Sequence, residues 1–365
     1  MKNRRSACSH YLIITFVLTL VLSACTFPTP GLSTPSPITT GTSSGTTTDR
    51  FEIYFTDPTA PHSKDYRGGP DEIIANEIDQ ARLTVDVAAY SLDLWSIRDA
   101  LIHAHQRGVV VRMVMESDNM DNQEVQQILD VGIPIIGDQH KGLMHNKFVI
   151  IDRAIVWTGS MNFTVGGAYK DNNNLLRIQS GKVAQDYTSE FEEMFIHHLF
   201  GPDAKNNTPY PKLAIDGIPT EIYFSPDDKV ERRIMALIQN AQESINFLAY
   251  TFTSNDIGDA ILKRAEAGIS VAGVMDGNQV NSSQGSEYDP FQQAGLDVRL
   301  DGNQTGLMHH KVIIIDKAII ITGSYNFSAS AEESNDENVV IIFNSILAAK
   351  YMDEFQRVYH QAIRP

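Results

Sequence analysis

Cysteine is almost missing: 365 residues carry two, Cys8 and Cys25. A fold that depends on a disulfide framework is therefore excluded. Basic charge is also scarce. Lys and Arg number 29 against 45 Asp and Glu, a formal net charge of −16 at pH 7. Proteins that hold long duplex nucleic acid present a basic stripe, because phosphate neutralisation dominates their affinity. The acidic balance counts against such a partner but leaves room for a small positive pocket. The mostly apolar run Leu12 to Leu22 is 11 residues long, well short of the ~20 that a spanning helix needs.

That run does have a use. Lys2, Arg4 and Arg5 precede it and Leu22-Ser23-Ala24-Cys25 follows, which reads as an export signal over residues 1–24. A cysteine directly behind small residues resembles a bacterial lipoprotein box, and the resemblance implies that Cys25 becomes the lipidated first residue of the mature chain. Several acyl chains at ~0.8 kcal/mol per buried CH2 make that anchor stable. The expectation is an extracytoplasmic protein held on a bacterial membrane without crossing it. Loss of the three signal cations leaves 26 basic against 45 acidic residues, a net charge near −19, and a single cysteine. Residues 25–50 are Thr, Ser, Pro and Gly almost throughout, too poor in apolar groups to pack. They read as a disordered tether with a root-mean-square reach of roughly 25 to 30 Å.

Beyond the tether the chain is two copies of one plan. Gly142-Leu143-Met144-His145-Asn146-Lys147-Phe148-Val149-Ile150-Ile151-Asp152 recurs downstream as Gly306-Leu307-Met308-His309-His310-Lys311-Val312-Ile313-Ile314-Ile315-Asp316. Thr158-Gly159-Ser160-Met161-Asn162 answers Thr322-Gly323-Ser324-Tyr325-Asn326 at the same offset. Upstream, helical spacing in residues 71–82 and 229–242 leads into strands ending at Tyr90 and Tyr250. Second helices stop at Gly108 and Gly268 and are followed by β-branched runs ending in Glu116-Ser117-Asp118-Asn119 and Asp276-Gly277-Asn278. Those acidic ends read equally well as a ligand crevice at strand C-termini or as solvated loops. Strands alternating with helices predict an α/β fold: a first domain over 51–200, a Pro- and Asn-rich connector over 201–220, and a second domain over 221–365.

Two copies of His-x-Lys-(x)4-Asp, each followed by Gly-Ser-x-Asn, resemble the paired motifs of the phospholipase D superfamily. The resemblance implies two α/β/α sandwich halves with mixed sheets, related by a pseudo-twofold axis and enclosing one active site at their interface, in a monomer with an internal pseudo-dimer. It also implies phosphodiester cleavage through a histidine nucleophile. On a strand, side chains alternate faces, so His145 shares a face with Lys147 and His309 with Lys311, whereas Asp152 and Asp316 point the other way and serve the architecture. Imidazole is a competent nucleophile and proton carrier near neutral pH. Lys147 and Lys311 suit the non-bridging oxygens of a phosphodiester; Asn162 and Asn326, just past the turns at Ser160 and Ser324, offer amide donors to the same oxygens.

In related enzymes an acidic residue near position 337 hydrogen-bonds a catalytic histidine. Glu337 lies as far past His309 as Asn173 lies past His145. The expectation is that the carboxylate favours the imidazolium of His309, the proton donor, while the amide leaves His145 free to attack. His310, His197, His198 and His360 show no ligand spacing shared by the halves, so neither a metal nor another cofactor is expected. The leading function is hydrolysis of a phospholipid to phosphatidate and free head group. A secreted nuclease of the same superfamily is the alternative, followed by phosphatidyl transfer and, last, a scaffold with a dead site.

Overall fold

The computed structural model describes residues 50–362. The expected signal peptide, Cys25 and the tether up to residue 49 lie outside the described residues. The first half runs β1 (Phe51–Phe55), α1 (Pro70–Asp79), β2 (Thr84–Ala89), α2 (Trp95–Gln106), β3 (Val110–Met115), α3 (Gln123–Asp130) and β4 (Ile135–Gly137). It continues with β5 (Lys147–Ile151), β6 (Ile155–Gly159), α4 (Val165–Tyr169), β7 (Asn174–Gln179) and α5 (Gly181–His197). The second half opens with a hairpin, β8 (Lys212–Ile215) and β9 (Ile218–Ser225), then α6 (Val230–Gln239), β10 (Ser244–Ala249), α7 (Asn255–Glu266) and β11 (Ser270–Met275). After α8 (Gly277–Ser282), α9 (Tyr288–Gln293) and β12 (Asp297–Leu300) come β13 (Lys311–Ile315), β14 (Ile319–Gly323), α10 (Ala329–Glu333), β15 (Glu337–Phe343) and α11 (Ser345–Gln361). Among the described residues no helix is long and apolar enough to cross a membrane.

Both sheets are mixed, with order β1-β7-β6-β5-β2-β3-β4 in the first and β12-β11-β10-β13-β14-β15-β9-β8 in the second. The motif strands β5 and β13 lie in the middle of each. Every residue of β5 and of β13 is buried, which is why both read as unbroken apolar runs and not as alternating ones. Val149 and Ile151 pack against α1, α2 and α3 on the outer face, while Phe148 and Ile150 enter a core shared by the two halves. That shared core also takes Val312 and Ile314 of β13, Tyr187 and Phe191 of α5, and Tyr351 and Phe355 of α11.

Two isolated parallel bridges cross between the halves, Met144 with Asp336 and Asn172 with Met308. Met308 is the counterpart of Met144 and Asp336 that of Asn172, each at the offset that relates the two motifs. A contact and its exchanged copy both being present is the mark of an isologous, twofold interface. The architecture is thus two α/β/α halves with mixed sheets about a pseudo-twofold axis.

Some local structure departs from the sequence reading. The hairpin strand β8 and the start of β9 fall within 201–220, and α8 occupies residues read as loop. Short helices follow each Gly-Ser-x-Asn segment because Thr164 and Ser328 cap them, accepting from Gly167 N–H at 3.0 Å and Ala331 N–H at 3.3 Å.

Candidate active site

The loops that carry His145 and His309 are held from below by acidic side chains. Glu116 at the end of β3 accepts Met144 N–H at 2.9 Å, and Asp276 at the end of β11 accepts Met308 N–H at 3.0 Å. Both carboxylates are buried. They therefore position the motif loops, and as buried hydrogen-bonded groups they are not simple solvated loop residues. From the side, the opposite half completes each loop: His145 N–H donates to Asp336 C=O at 3.0 Å, and His309 N–H to Asn172 C=O at 2.9 Å.

This crossing decides the partners of the imidazoles. His145 Nδ1 lies 2.7 Å from Glu337 Oε2. His309 Nδ1 lies 2.9 Å from Asn173 Oδ1 and 3.1 Å from the Ser160 carbonyl. The expected pairing of Glu337 with His309 is corrected: the carboxylate serves His145 and the amide serves His309. The reason is the bridge register, which sets residue 337 beside the loop bearing His145 and residue 173 beside the loop bearing His309. In both rings Nδ1 faces an acceptor, so it carries the proton, and Nε2 is the nitrogen left to react.

Lys147 Nζ donates to the carbonyl of His145 at 2.6 Å and Lys311 Nζ to that of His309 at 2.9 Å. Each ammonium also faces a ring at a strand end: Lys147 lies 5.0 Å from the Tyr90 centroid and Lys311 4.8 Å from that of Tyr250. The same tyrosines pack on the histidines, at 4.9 Å for Tyr90 with His145 and 4.6 Å for Tyr250 with His309. One hydrogen bond each leaves two N–H donors per lysine for a ligand.

The site is closely enclosed, with His145 6% and His309 4% exposed. Burial, reinforced by the two ammoniums, holds both imidazoles well below their ordinary range. Burial lowers Lys147 to about 7 and depresses Lys311 strongly, with Lys147 adding to the effect. It raises Glu337 to about 7 against the pull of Lys147. Four basic groups whose cationic forms burial disfavours, set around one carboxyl, make a site where a bound anion would restore their protons.

Asp152 caps the chain behind β5, accepting N–H groups from Arg82, Leu83 and Thr84 at 2.7 to 3.1 Å. Asp316 does the same for Gln242, Glu243 and Ser244. Ser160 Oγ donates to Asn173 Oδ1 at 2.8 Å, next to His309, and Ser324 Oγ accepts Asn338 N–H at 3.0 Å. Gly159 and Gly323 precede these serines at φ 148° and 151°, and a Cβ at either would strike the carbonyl of Asn174 or Asn338. The side-chain oxygens of Asn162 and Asn326 are buried without a hydrogen-bond partner. Among the described residues no group of three or more His, Cys, Asp or Glu side chains is arranged to hold a metal ion.

A second, buried polar layer crosses the axis beneath the histidines. Asn338 Oδ1 accepts from Thr158 at 2.7 Å and Tyr187 at 3.1 Å, while its amide donates to Asn146 at 2.8 Å. Asn174 reciprocates toward Thr322 at 2.9 Å and Tyr351 at 3.1 Å. His310, in this layer, binds Glu354 at 2.9 Å. Sequence reasoning passed over Tyr90, Tyr250, Asn174 and Asn338 as participants. Their signal was present in the repeat: Asn338 stands to Asn174 at the same offset as His309 to His145, and Tyr250 to Tyr90 at nearly that offset.

Two motif histidines joined across a pseudo-twofold interface of mixed sheets define a two-motif phospholipase D fold. The chain belongs to that superfamily: the family described as cardiolipin synthase, PLD-like domain, matches residues 74–195 and 234–359. Among curated relatives, mitochondrial cardiolipin hydrolase of Xenopus tropicalis is 31% identical over 134 residues, 37% of this chain and 63% of its own. Phospholipase D of Rickettsia prowazekii is 36% identical over 132 residues, 36% of this chain and 63% of its own. The chain thus spans less than two thirds of the length of these relatives. Phosphatidylserine synthase of Haemophilus influenzae aligns over 86% of this chain and 87% of its own with a TM-score of 0.64 at 14% identity, a likeness of fold.

Proposed function

We propose that this chain is a phosphodiesterase of the phospholipase D type that hydrolyses a phospholipid through a phosphohistidine on His145, without a metal. The observation that carries the reading is the crossed pairing of the two histidines. Each ring is fixed at Nδ1 by the opposite half, beside two ammoniums with free donors. His145 Nε2 attacks phosphorus and the bond to the leaving oxygen breaks, while imidazolium His309 gives that oxygen its proton. The new phosphoimidazole is cationic, and the Glu337 carboxylate stabilises it directly. His309, bound only to neutral oxygens, is the stronger acid when protonated and hence the better donor. It then takes a proton from water, whose oxygen displaces His145 from phosphorus. Lys147 and Lys311, with the carboxamides of Asn162 and Asn326, hold the non-bridging oxygens; the substrate's charge draws both lysines and His309 back toward their protonated forms.

A lipid substrate is favoured by a surface cluster of rings and cations as well as by the relatives named phospholipase D and cardiolipin hydrolase. Tyr66 is 40% exposed, Arg67 stacks over Trp95 at 4.1 Å, and Lys170 lies 5.6 Å from the Tyr66 ring. The Lys170 carbonyl accepts from Asn303 at 2.8 Å, which ties this cluster to the loop that precedes the second motif. Amphipathic rings and cations with apolar stems are suited to a head-group layer. Anchoring through a lipidated Cys25 would keep the enzyme at that layer, outside the cytoplasm. The test is a side-by-side assay of the purified protein in EDTA on vesicles of phosphatidylcholine, phosphatidylglycerol and cardiolipin and on single- and double-stranded DNA. The expected result is lipid turnover that His145→Asn and His309→Asn each abolish. Turnover of DNA alone would overturn the substrate, and loss in EDTA restored by a divalent ion would overturn the metal-free chemistry.

A further inference from the structure

The two motif loops reach across the interface through different residues, His140 in the first and Asn303 with Thr305 in the second. Residues 140 and 304 are counterparts in the repeat. Gln304 is exposed and its amide reaches only the Gly302 carbonyl of its own loop, at 3.4 Å. His140 is half-buried and makes contacts on every side. Its Nδ1 lies 2.7 Å from Asp138 Oδ2, and its Nε2 lies 3.2 Å from the Ser334 carbonyl and 3.6 Å from Asp336 Oδ2. The ring stacks on Phe200 at 5.8 Å.

Every polar neighbour of this imidazole is an acceptor, so both nitrogens must donate and the contacts are complete only for the imidazolium. The firmly charged neighbour is Asp138, which, despite its burial, His140 and Ser117 hold down at about 2, whereas burial raises Asp336 to about 8 and Lys141 on the same loop is turned to solvent. Asp138 is pinned by Ser117 N–H at 2.8 Å and Asp336 Oδ1 by Gly201 N–H at 2.6 Å. Asp336 Oδ2 is buried with no hydrogen-bond partner. Packing is tight here, since a Cβ on Gly142 or Gly201 would strike the Ser334 carbonyl and the His140 ring. The segment so held ends in the two groups that grip the reactive histidine: Asp336 C=O accepts His145 N–H at 3.0 Å, and Glu337 Oε2 accepts from Nδ1 at 2.7 Å.

We propose that His140 is a positioning residue for the His145–Glu337 pair, linking Asp138 of one half to Ser334 and Asp336 of the other so that Glu337 stays seated on the imidazole. In the second half the equivalent carbonyl, that of Lys170, accepts from the Asn303 amide at 2.8 Å and the Thr305 hydroxyl at 3.3 Å, so the loop of His309 is held by neutral donors where that of His145 is held by an imidazole between acidic groups. The inference rests on the reading of His145 as the reactive group, so its test includes a signal that needs no turnover.

His140→Gln, His140→Ala and Gln304→Ala are made in the full chain, alone and with Glu337→Gln. The His145 Nδ1 proton is followed by NMR, assigned by its disappearance in His145→Asn, and kcat is measured on bis(p-nitrophenyl) phosphate. His140→Gln, which keeps a planar donor but loses the charge, is expected to lower kcat about 10-fold at unchanged KM. It should also move the Nδ1 proton upfield, toward its position in Glu337→Gln, with Gln304→Ala silent. In the Glu337→Gln background the loss from His140→Gln should vanish, because the pair then acts as one unit. If His140→Ala fails to fold, the Gln variant decides. Independent, multiplying losses, or a lowered Tm with kcat and the Nδ1 resonance unmoved, would overturn the proposal. Should the wild type turn over no diester at all, the proposed function fails, and the resonance alone still decides for or against His140.

Discussion

At the scale of single residues the site is governed by which buried groups hold protons. Glu337 holds His145 Nδ1–H most strongly as a carboxylate, and burial raises its titration to about 7. Activity should therefore rise as pH climbs through that value. In the proposed mechanism Lys147 donates to the substrate as an ammonium, and burial lowers it to about 7 as well, so kcat/KM should fall again above that value. The free enzyme is expected to give a narrow bell near neutrality. A bound anion favours the ammonium, so the basic limb of kcat should stand at higher pH than that of kcat/KM. Glu337→Gln should erase the acid limb and lower kcat by about 10^2-fold. Profiles of the two enzymes between pH 5 and 9 check this, and a flat wild-type profile would contradict it. His145, Lys147, His309 and Lys311 were legible in the sequence because their types recur at one offset inside apolar strands. The owner of Glu337 was not. Counting along the chain from His309 gives only its place in the second half, whereas the bridge of Met144 with Asp336 delivers it to the other histidine.

At the scale of elements, the period of apolar residues was enough to find the motif strands, their hairpin partners and the long closing helices α5 and α11. The hairpin strand β8 escaped because its four residues, Lys212–Ile215, lie among prolines and are only half covered. The short helices α4 and α10 escaped because their stability comes from a cap and from the strand end that launches them, and Gly166-Gly167 opposes a helix on propensity. The acidic ends of β3 and β11 showed as charged residues at strand C-termini, but their target, the amide before each motif histidine, is a tertiary fact. Asp152 illustrates an element held by one side chain, since it satisfies three consecutive N–H groups at the start of β2. Asp152→Ala should cost about 1–3 kcal/mol in urea unfolding and leave kcat within about twofold of wild type. A loss of turnover at unchanged stability would assign that carboxylate to the chemistry instead.

At the scale of the whole molecule, the two halves exchange the groups that make each work. The carboxylate of β15 orients a histidine of the first half, Asn173 at the end of the first half's α4–β7 loop orients one of the second, and Asn338 and Asn174 cross beneath them. The shared core commits Phe148, Ile150, Tyr187 and Phe191 of one half and Val312, Ile314, Tyr351 and Phe355 of the other. Separated halves would expose those side chains together with unsatisfied buried amides. Calorimetry should accordingly show one transition for the two halves, and residues 221–365 alone should give no cooperative unfolding. Two resolved transitions would mean that the halves are independent domains. The central claim is that His145 carries the phosphoryl group, and trapping tests it most directly. With bis(p-nitrophenyl) phosphate, whose leaving group needs no proton, His309→Asn should be labelled once and stay labelled, because no base remains to activate water. Mass spectrometry under non-acidic conditions should place the acid-labile adduct on the peptide containing His145. An adduct on His309 in the His145→Asn enzyme, with none on His145 in its counterpart, would contradict the account.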